Sequence, residues 1–127
     1  MGNNKKVVVI DDEVHIRRVI EIKLNKEGYQ VMTAINGKEG LNLIKAQKPD
    51  VVISDIMMPE MDGKALCQET NVLKKDCPFL TIIMTCRISA DEESWISDMQ
   101  DTLFMEKPFS PTKLVENIEQ YFGGSYD

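Results

Sequence analysis

Cysteine pairs, basic clusters and long apolar stretches are what this sequence has least of. Its three cysteines, Cys67, Cys77 and Cys86, form no Cys-x-x-Cys pair and leave an odd count. That argues against a disulfide framework or a cysteine metal site, and for reduced, partly buried thiols. No apolar run approaches the ~20 residues that span a bilayer. The polar opening Met1-Gly2-Asn3-Asn4-Lys5-Lys6 leads straight into Val7 and is too short for a secretory signal. The expected compartment is therefore the cytoplasm, without membrane association. Lysines and arginines are scattered, and the formal net charge is −6. Such a chain repels nucleic-acid phosphates, which argues against a direct nucleic-acid-binding role. Internal repeats and low-complexity segments are missing too, and 127 residues leave room for one core and no second.

What is present is a series of short apolar runs. They are Val7-Val8-Val9-Ile10, Val31-Met32-Thr33-Ala34, Val51-Val52-Ile53, Leu80-Thr81-Ile82-Ile83-Met84 and a weaker Leu103-Phe104-Met105. The first, third and fourth are continuous, as strands buried on both faces of a parallel sheet are. The second and fifth are mixed, which suits edge strands.

Helical patterns lie between the runs. Ile16, Ile20 and Leu24 recur every four residues with Val19 beside them, and Gly28 supplies a stop. Asn36 and Glu39 form an N-cap with a reciprocal carboxylate, for a helix that turns Leu41 and Ile44 inward and ends before Pro49. Leu66 and Leu73 mark a third helix after Gly63, and residues 91–99 a weaker fourth. In the last, Ser110 caps, Pro111 takes the first helical position, and Leu114, Val115, Ile118, Tyr121 and Phe122 form one stripe. Strand and helix thus alternate about five times, which implies right-handed crossovers and a parallel sheet covered by helices on both faces. The domain is expected to span 1–127, with a core of about 5–122 and a tail or truncated linker at 123–127.

In open parallel sheets ligands sit beyond the carboxyl ends of the strands. Asp11, Asp12 and Glu13 follow the first strand and Ser54-Asp55 the third, while the fourth ends in Thr85 and the fifth in Glu106-Lys107-Pro108. Adjacent carboxylates repel unless a cation neutralises them. A hard dication such as Mg²⁺ binds through one or two carboxylates while keeping waters. With an ammonium and a hydroxyl added, the set becomes a cradle for phosphate oxygens, and phosphoryl transfer needs chiefly such positioning and charge neutralisation. Taken singly these residues are weak signals, since an Asp pair after a strand commonly caps the next helix. Their joint placement carries the argument.

The segments Val7-Val8-Val9-Ile10-Asp11-Asp12-Glu13, Asp55-Ile56-Met57-Met58-Pro59-Glu60-Met61-Asp62-Gly63, Ile83-Met84-Thr85 and Lys107-Pro108-Phe109 resemble the receiver domain of two-component response regulators, in order and in spacing. The resemblance covers essentially the whole chain, and the run from Asp55 to Gly63 is its most specific part. It implies a doubly wound, flavodoxin-like five-stranded parallel sheet of strand order 2-1-3-4-5, as in CheY-like proteins. By the same resemblance Asp55 is the phosphoacceptor. Asp12, Asp55 and the backbone carbonyl of Met57 ligate Mg²⁺, or Mn²⁺ in its place, with Asp11 acting through water. Lys107 binds a phosphoryl oxygen and is joined to Pro108 by a cis peptide bond. Thr85 and Phe104 are the switch pair. The implied donor is a sensor histidine kinase or a phosphotransfer protein. The domain promotes its own phosphotransfer and dephosphorylation without being an enzyme in the ordinary sense. Output through the face of the fourth helix, fifth strand and fifth helix reaches an unknown downstream effector, and that face also allows a homodimer.

Some positions depart from the family's commonest pattern. Cys86 stands where a smaller residue is usual, Met57 offers no polar group to position a water, and Arg87 is placed to reach across the pocket mouth. Together these favour slow hydrolysis of the phosphorylated form. Gln100-Asp101 replaces the usual Gly-Ala pair. His15, just inside the first helix, reads as exposed and non-catalytic, and Trp95 with Met99 as packing residues. Met58 and Met61 read as loop anchors rather than metal ligands. The alternative function is a pseudo-receiver, a binding module that is never phosphorylated, but all five residues Asp11, Asp12, Asp55, Thr85 and Lys107 are present. A dehalogenase-like phosphohydrolase would carry Asp at position 57 and a substrate cap. A flavodoxin-type electron carrier would carry a Ser/Thr/Gly-rich loop where Asp11-Asp12-Glu13 stands.

Overall fold

The computed structural model describes residues 5–55, 79–85, 102–106 and 110–122. Five strands, β1 (Lys6–Ile10), β2 (Gln30–Ala34), β3 (Val51–Asp55), β4 (Leu80–Thr85) and β5 (Thr102–Glu106), form one sheet in the order β2-β1-β3-β4-β5. Every neighbouring pair is parallel. The continuous apolar runs occupy the centre of the sheet and the mixed ones its edges, as their patterning requires.

Three helices are described with it: α1 (Val14–Lys26), α2 (Gly37–Gln47) and α3 (Pro111–Tyr121). Successive strand residues point to opposite faces. Val7 and Val9 of β1, with Val51 and Ile53 of β3, join Ile20 and Leu24 of α1 and Leu114, Val115 and Ile118 of α3 in one apolar layer. Val8, Ile10 and Val52 join Leu41 and Ile44 of α2 in the other. Residues 56–78 and 86–101, where the third and fourth sequence-predicted helices, all three cysteines, Met58, Met61, Trp95 and Met99 fall, lie outside the described residues. Among the described residues, no helix is long and apolar enough to cross a membrane.

Local signals account for the helix ends. The Asn36 Oδ1 accepts the Glu39 N–H at 2.7 Å, and the Glu39 carboxylate accepts the N–H of Ile35 at 3.2 Å, one residue before the cap. The Ser110 Oγ accepts the Lys113 N–H at 3.3 Å, with Pro111 opening α3. Helix α1 stops in a Schellman turn. Gly28 takes φ 96°, its N–H donates to the Asn25 carbonyl, and the N–H of Tyr29 donates to that of Leu24. Helix α2 ends before Pro49 with Lys48 in the left-handed region at φ 48°.

Two helical stripes are narrower than their sequence pattern. Val19 is exposed, because it precedes Ile20 and so stands about 100° round the helix from the buried line. The stripe of α3 is buried only as far as Ile118. Tyr121 and Phe122 are exposed, stacked edge to face with centroids 4.9 Å apart, and the Lys5 Nζ lies 4.4 Å from the Phe122 ring centre. These rings satisfy one another and a cation rather than the core.

One glycine sets the distance between α2 and the sheet. A Cβ at Gly40 would overlap the Cδ1 of Ile10 and lie 2.6 Å from its Cγ1. Ile10 is fully buried, β-branched and directly precedes Asp11. Gly→Ala inside a helix ordinarily gains up to about 1 kcal/mol. Here overpacking should outweigh that gain, so Gly40→Ala is expected to lower stability by about 1–3 kcal/mol in urea unfolding; an increase would refute the close approach.

Tyr29 gives a pH dependence. It is 4% exposed, and burial, then the carboxylates of Glu119 and Glu27, push its phenol up from 10.0 to about 12. The folded state therefore holds this proton after the unfolded chain has lost it. Its stabilisation is complete below pH 10 and disappears as pH rises towards 12. The loss should reach about 2–3 kcal/mol, each pKa unit being about 1.4 kcal/mol. Denaturant titrations from pH 9 to about 12 should show a steeper decline for the native chain than for Tyr29→Phe; parallel curves would contradict the shift.

Candidate functional site

Strand register brings the acidic residues together. Ile10 pairs with Ser54, so Asp11, the next residue, leaves the sheet level with Asp55. Asp55 in turn pairs with Met84, and Thr85 with Glu106, at the same edge of the sheet. The first helix starts immediately afterwards, which keeps Asp12 and Glu13 close to the strand end. As a result Asp11, Asp12, Glu13 and Asp55 each bring a carboxylate oxygen within 4.8 Å of the others.

The four are not equivalent. Asp11 is fully buried and Asp55 is 8% exposed, whereas Asp12 and Glu13 are open to solvent. The Asp11 Oδ1 accepts the N–H of Glu13 at 2.9 Å, its carbonyl accepts from the Arg17 Nη1 at 2.7 Å, and its own N–H donates to the Ala34 carbonyl at 3.1 Å. Beside Asp55, the buried Ser54 hydroxyl donates to the Asp55 carbonyl at 2.9 Å. The N-terminus of α1 adds a partial positive charge next to the loop. This donor set is all oxygen, anionic and half open to water. It suits a hard dication that keeps part of its hydration, and not a soft metal.

The family profile described as the response regulator receiver domain matches residues 7–119. The chain belongs to this family. A protein named probable transcriptional regulator ycf27 from Guillardia theta is 40% identical over 118 residues, which are 93% of this chain and 45% of that protein. Its namesake from Cyanophora paradoxa is 36% identical over 116 residues, 91% of this chain and 47% of that protein. The receiver domain thus spans about half the length of the curated relatives it matches. Among solved structures, Vibrio cholerae chemotaxis protein CheY4 superposes with a TM-score of 0.83 at 28% identity, covering 91% of this chain and 97% of that one. The receiver domain of the Francisella response regulator 1452 gives 0.79 at 31% identity, covering 94% and 97%.

Within this receiver domain, Asp11, Asp12 and Asp55 converge as their positions after β1 and β3 imply. Glu13 joins them, although its role was not assigned from sequence; the signal was its place as the third consecutive acid before α1. For Thr85 and Phe104 the backbone is described, at the end of β4 and within β5, opposite Glu106 and Ile83 respectively. Met57, Cys86, Arg87, Lys107 and Pro108, with the Lys107–Pro108 peptide bond and the Gln100-Asp101 pair, lie outside the described residues. His15 is exposed.

Repulsion in the cluster can be measured directly. In buffer free of divalent cations, Asp12→Asn should raise the thermal midpoint, because one of four crowded carboxylates loses its charge. Added Mg²⁺ should then stabilise the variant less than the native domain. Calorimetry that found a lower midpoint for the variant without cation would show that the cluster is not strained by its own charge.

Proposed function

We propose that this receiver domain is a phosphorylation-driven switch in which Asp55 is the phosphoacceptor. The observation that carries the reading is the buried Asp55 carboxylate at the carboxyl edge of the central strand β3, gathered with Asp11, Asp12 and Glu13 within 4.8 Å. Asp12 and Asp55, together with the Met57 carbonyl that the receiver resemblance implies, would hold Mg²⁺, and Asp11 would act through water. When bound, the ion offsets carboxylate repulsion and draws off charge from the phosphoryl oxygens. An Asp55 oxygen attacks phosphorus in a phosphohistidine of a sensor kinase or phosphotransfer protein. A P–O bond forms as the P–N bond breaks, and the imidazole nitrogen leaves with the electron pair. Lys107 neutralises a phosphoryl oxygen, and Thr85 donates a hydrogen bond to another. Water later attacks phosphorus, freeing phosphate and restoring the carboxylate. Met57, Cys86 and Arg87 are the residues that would modulate the rate of this second step, in the direction of slow hydrolysis.

The new dianion biases a two-state equilibrium. Moving a 1:99 population to 99:1 takes about 5.5 kcal/mol of preference for the active state. Charge-assisted contacts of the phosphoryl group with Lys107 and Thr85, and with Mg²⁺ where it is bound, would supply this bias. Phe104 moves into space left by Thr85, as a packing event, since it lacks a tyrosine hydroxyl. The output face expected of receivers, to which β5 and α3 contribute here, passes the state to a downstream effector or to a second copy of the domain.

Intact-mass spectrometry after incubation with acetyl phosphate tests the reading. A single phosphoryl adduct should form with Mg²⁺ and vanish in Asp55→Asn or after chelation. No adduct from either acetyl phosphate or a phosphohistidine protein, in a domain that still binds Mg²⁺, would favour the pseudo-receiver alternative.

A further inference from the structure

The loop that carries Asp11, Asp12 and Glu13 is fastened by a cation that is not itself part of the acidic cluster. Arg17, one turn into α1 and half-buried, donates from Nη1 to the main-chain carbonyl of Asp11 at 2.7 Å. The Arg17 N–H closes the first helical turn on the Glu13 carbonyl at 3.2 Å. Asp11 is therefore tied through its N–H to Ala34, through its carboxylate to Glu13 and through its carbonyl to Arg17. The last tie is the only one of these three made by a side chain from beyond the loop.

We infer that Arg17 is a positioning residue for the cation pocket: by holding the Asp11 carbonyl, it keeps the β1–α1 loop in the spacing at which Asp12 and Asp55 share one Mg²⁺. The inference rests on the Mg²⁺ site proposed above. It does not make Arg17 a ligand, because a guanidinium has five donors and no acceptor.

Charge and position act in opposite directions here, which makes the inference separable from a general electrostatic effect. A permanent positive charge beside the cluster competes with a dication, so its removal, by charge alone, strengthens Mg²⁺ binding. As a positioning group, its removal lets the carboxylates spread and weakens binding, as loss of groups supporting metal ligands does by about 10–100-fold. The planar guanidinium also supplies a fixed donor that the single rotating ammonium of lysine does not reproduce.

Isothermal titration of Mg²⁺ into the native domain, Arg17→Ala, Arg17→Lys and Arg18→Ala decides the matter. Arg18 is exposed and removes the same formal charge one residue away. Arg17→Ala should weaken Mg²⁺ binding about tenfold or more, Arg17→Lys should fall between it and the native domain, and Arg18→Ala should bind as tightly as native or slightly tighter. Equal or tighter binding in a folded Arg17→Ala protein would overturn the inference while leaving the pocket intact. If Arg17→Ala does not fold, as judged by circular dichroism, Arg17→Lys carries the test, and native affinity in it overturns the positioning role. A native domain that binds no Mg²⁺ would overturn the pocket reading and this inference with it.

Discussion

Four carboxylates held within 4.8 Å of one another repel, and the surrounding structure has to hold them there before anything can bind. Two of the four are buried, where desolvation adds to the cost. The opposing forces come from the fold. Both faces of β1 and β3 are sealed by apolar side chains, so the strands that end in Asp11 and Asp55 cannot drift apart without opening two cores. Gly40 lets α2 close on Ile10, the residue before the acidic loop. The loop itself is stitched to β2, to the start of α1 and to Arg17. Repulsion kept in a stiff frame makes the site responsive to a cation that enters it.

The fold was readable because its signals agree at several levels. Continuous Val and Ile runs mark strands buried on both faces, and β1, β3 and β4 lie inside the sheet. Capping residues mark helix ends, and Asn36, Ser110 and Gly28 sit where their chemistry requires. The misreadings came from treating apolar identity as burial. Val19, Tyr121 and Phe122 fit a helical stripe on paper, but a stripe is only as wide and as long as the sheet beneath it. Nothing in the spacing alone says where that surface stops.

The site was readable to the extent that topology predicts convergence. Placing Asp11 and Asp55 after parallel strands puts them at one edge, and register then makes them level, because Ile10 pairs with Ser54. Burial was not readable in the same way: adjacent Asp11 and Asp12 look alike in sequence, yet one is sealed and the other open. Their difference comes from the turn into α1, where the Asp11 carboxylate takes the Glu13 N–H. The clasp from Arg17 was equally invisible, since an arginine one helical turn past an acidic loop has no signature apart from its geometry. Neither strand ends nor pairing single out one of the clustered acids as the acceptor; the proposal of Asp55 rests on the receiver-like run from Asp55 to Gly63.

The most direct test of the central claim is chemical mapping of the phosphorylated residue. Borohydride reduction of a phosphoryl-aspartate turns that side chain into an alcohol, and peptide sequencing by mass spectrometry then locates it. After exposure to a phosphohistidine donor with Mg²⁺, the account predicts homoserine at position 55 and unchanged aspartates at 11 and 12. Reduction at Asp11 or Asp12, or no reduced residue in a domain that binds Mg²⁺, would contradict it.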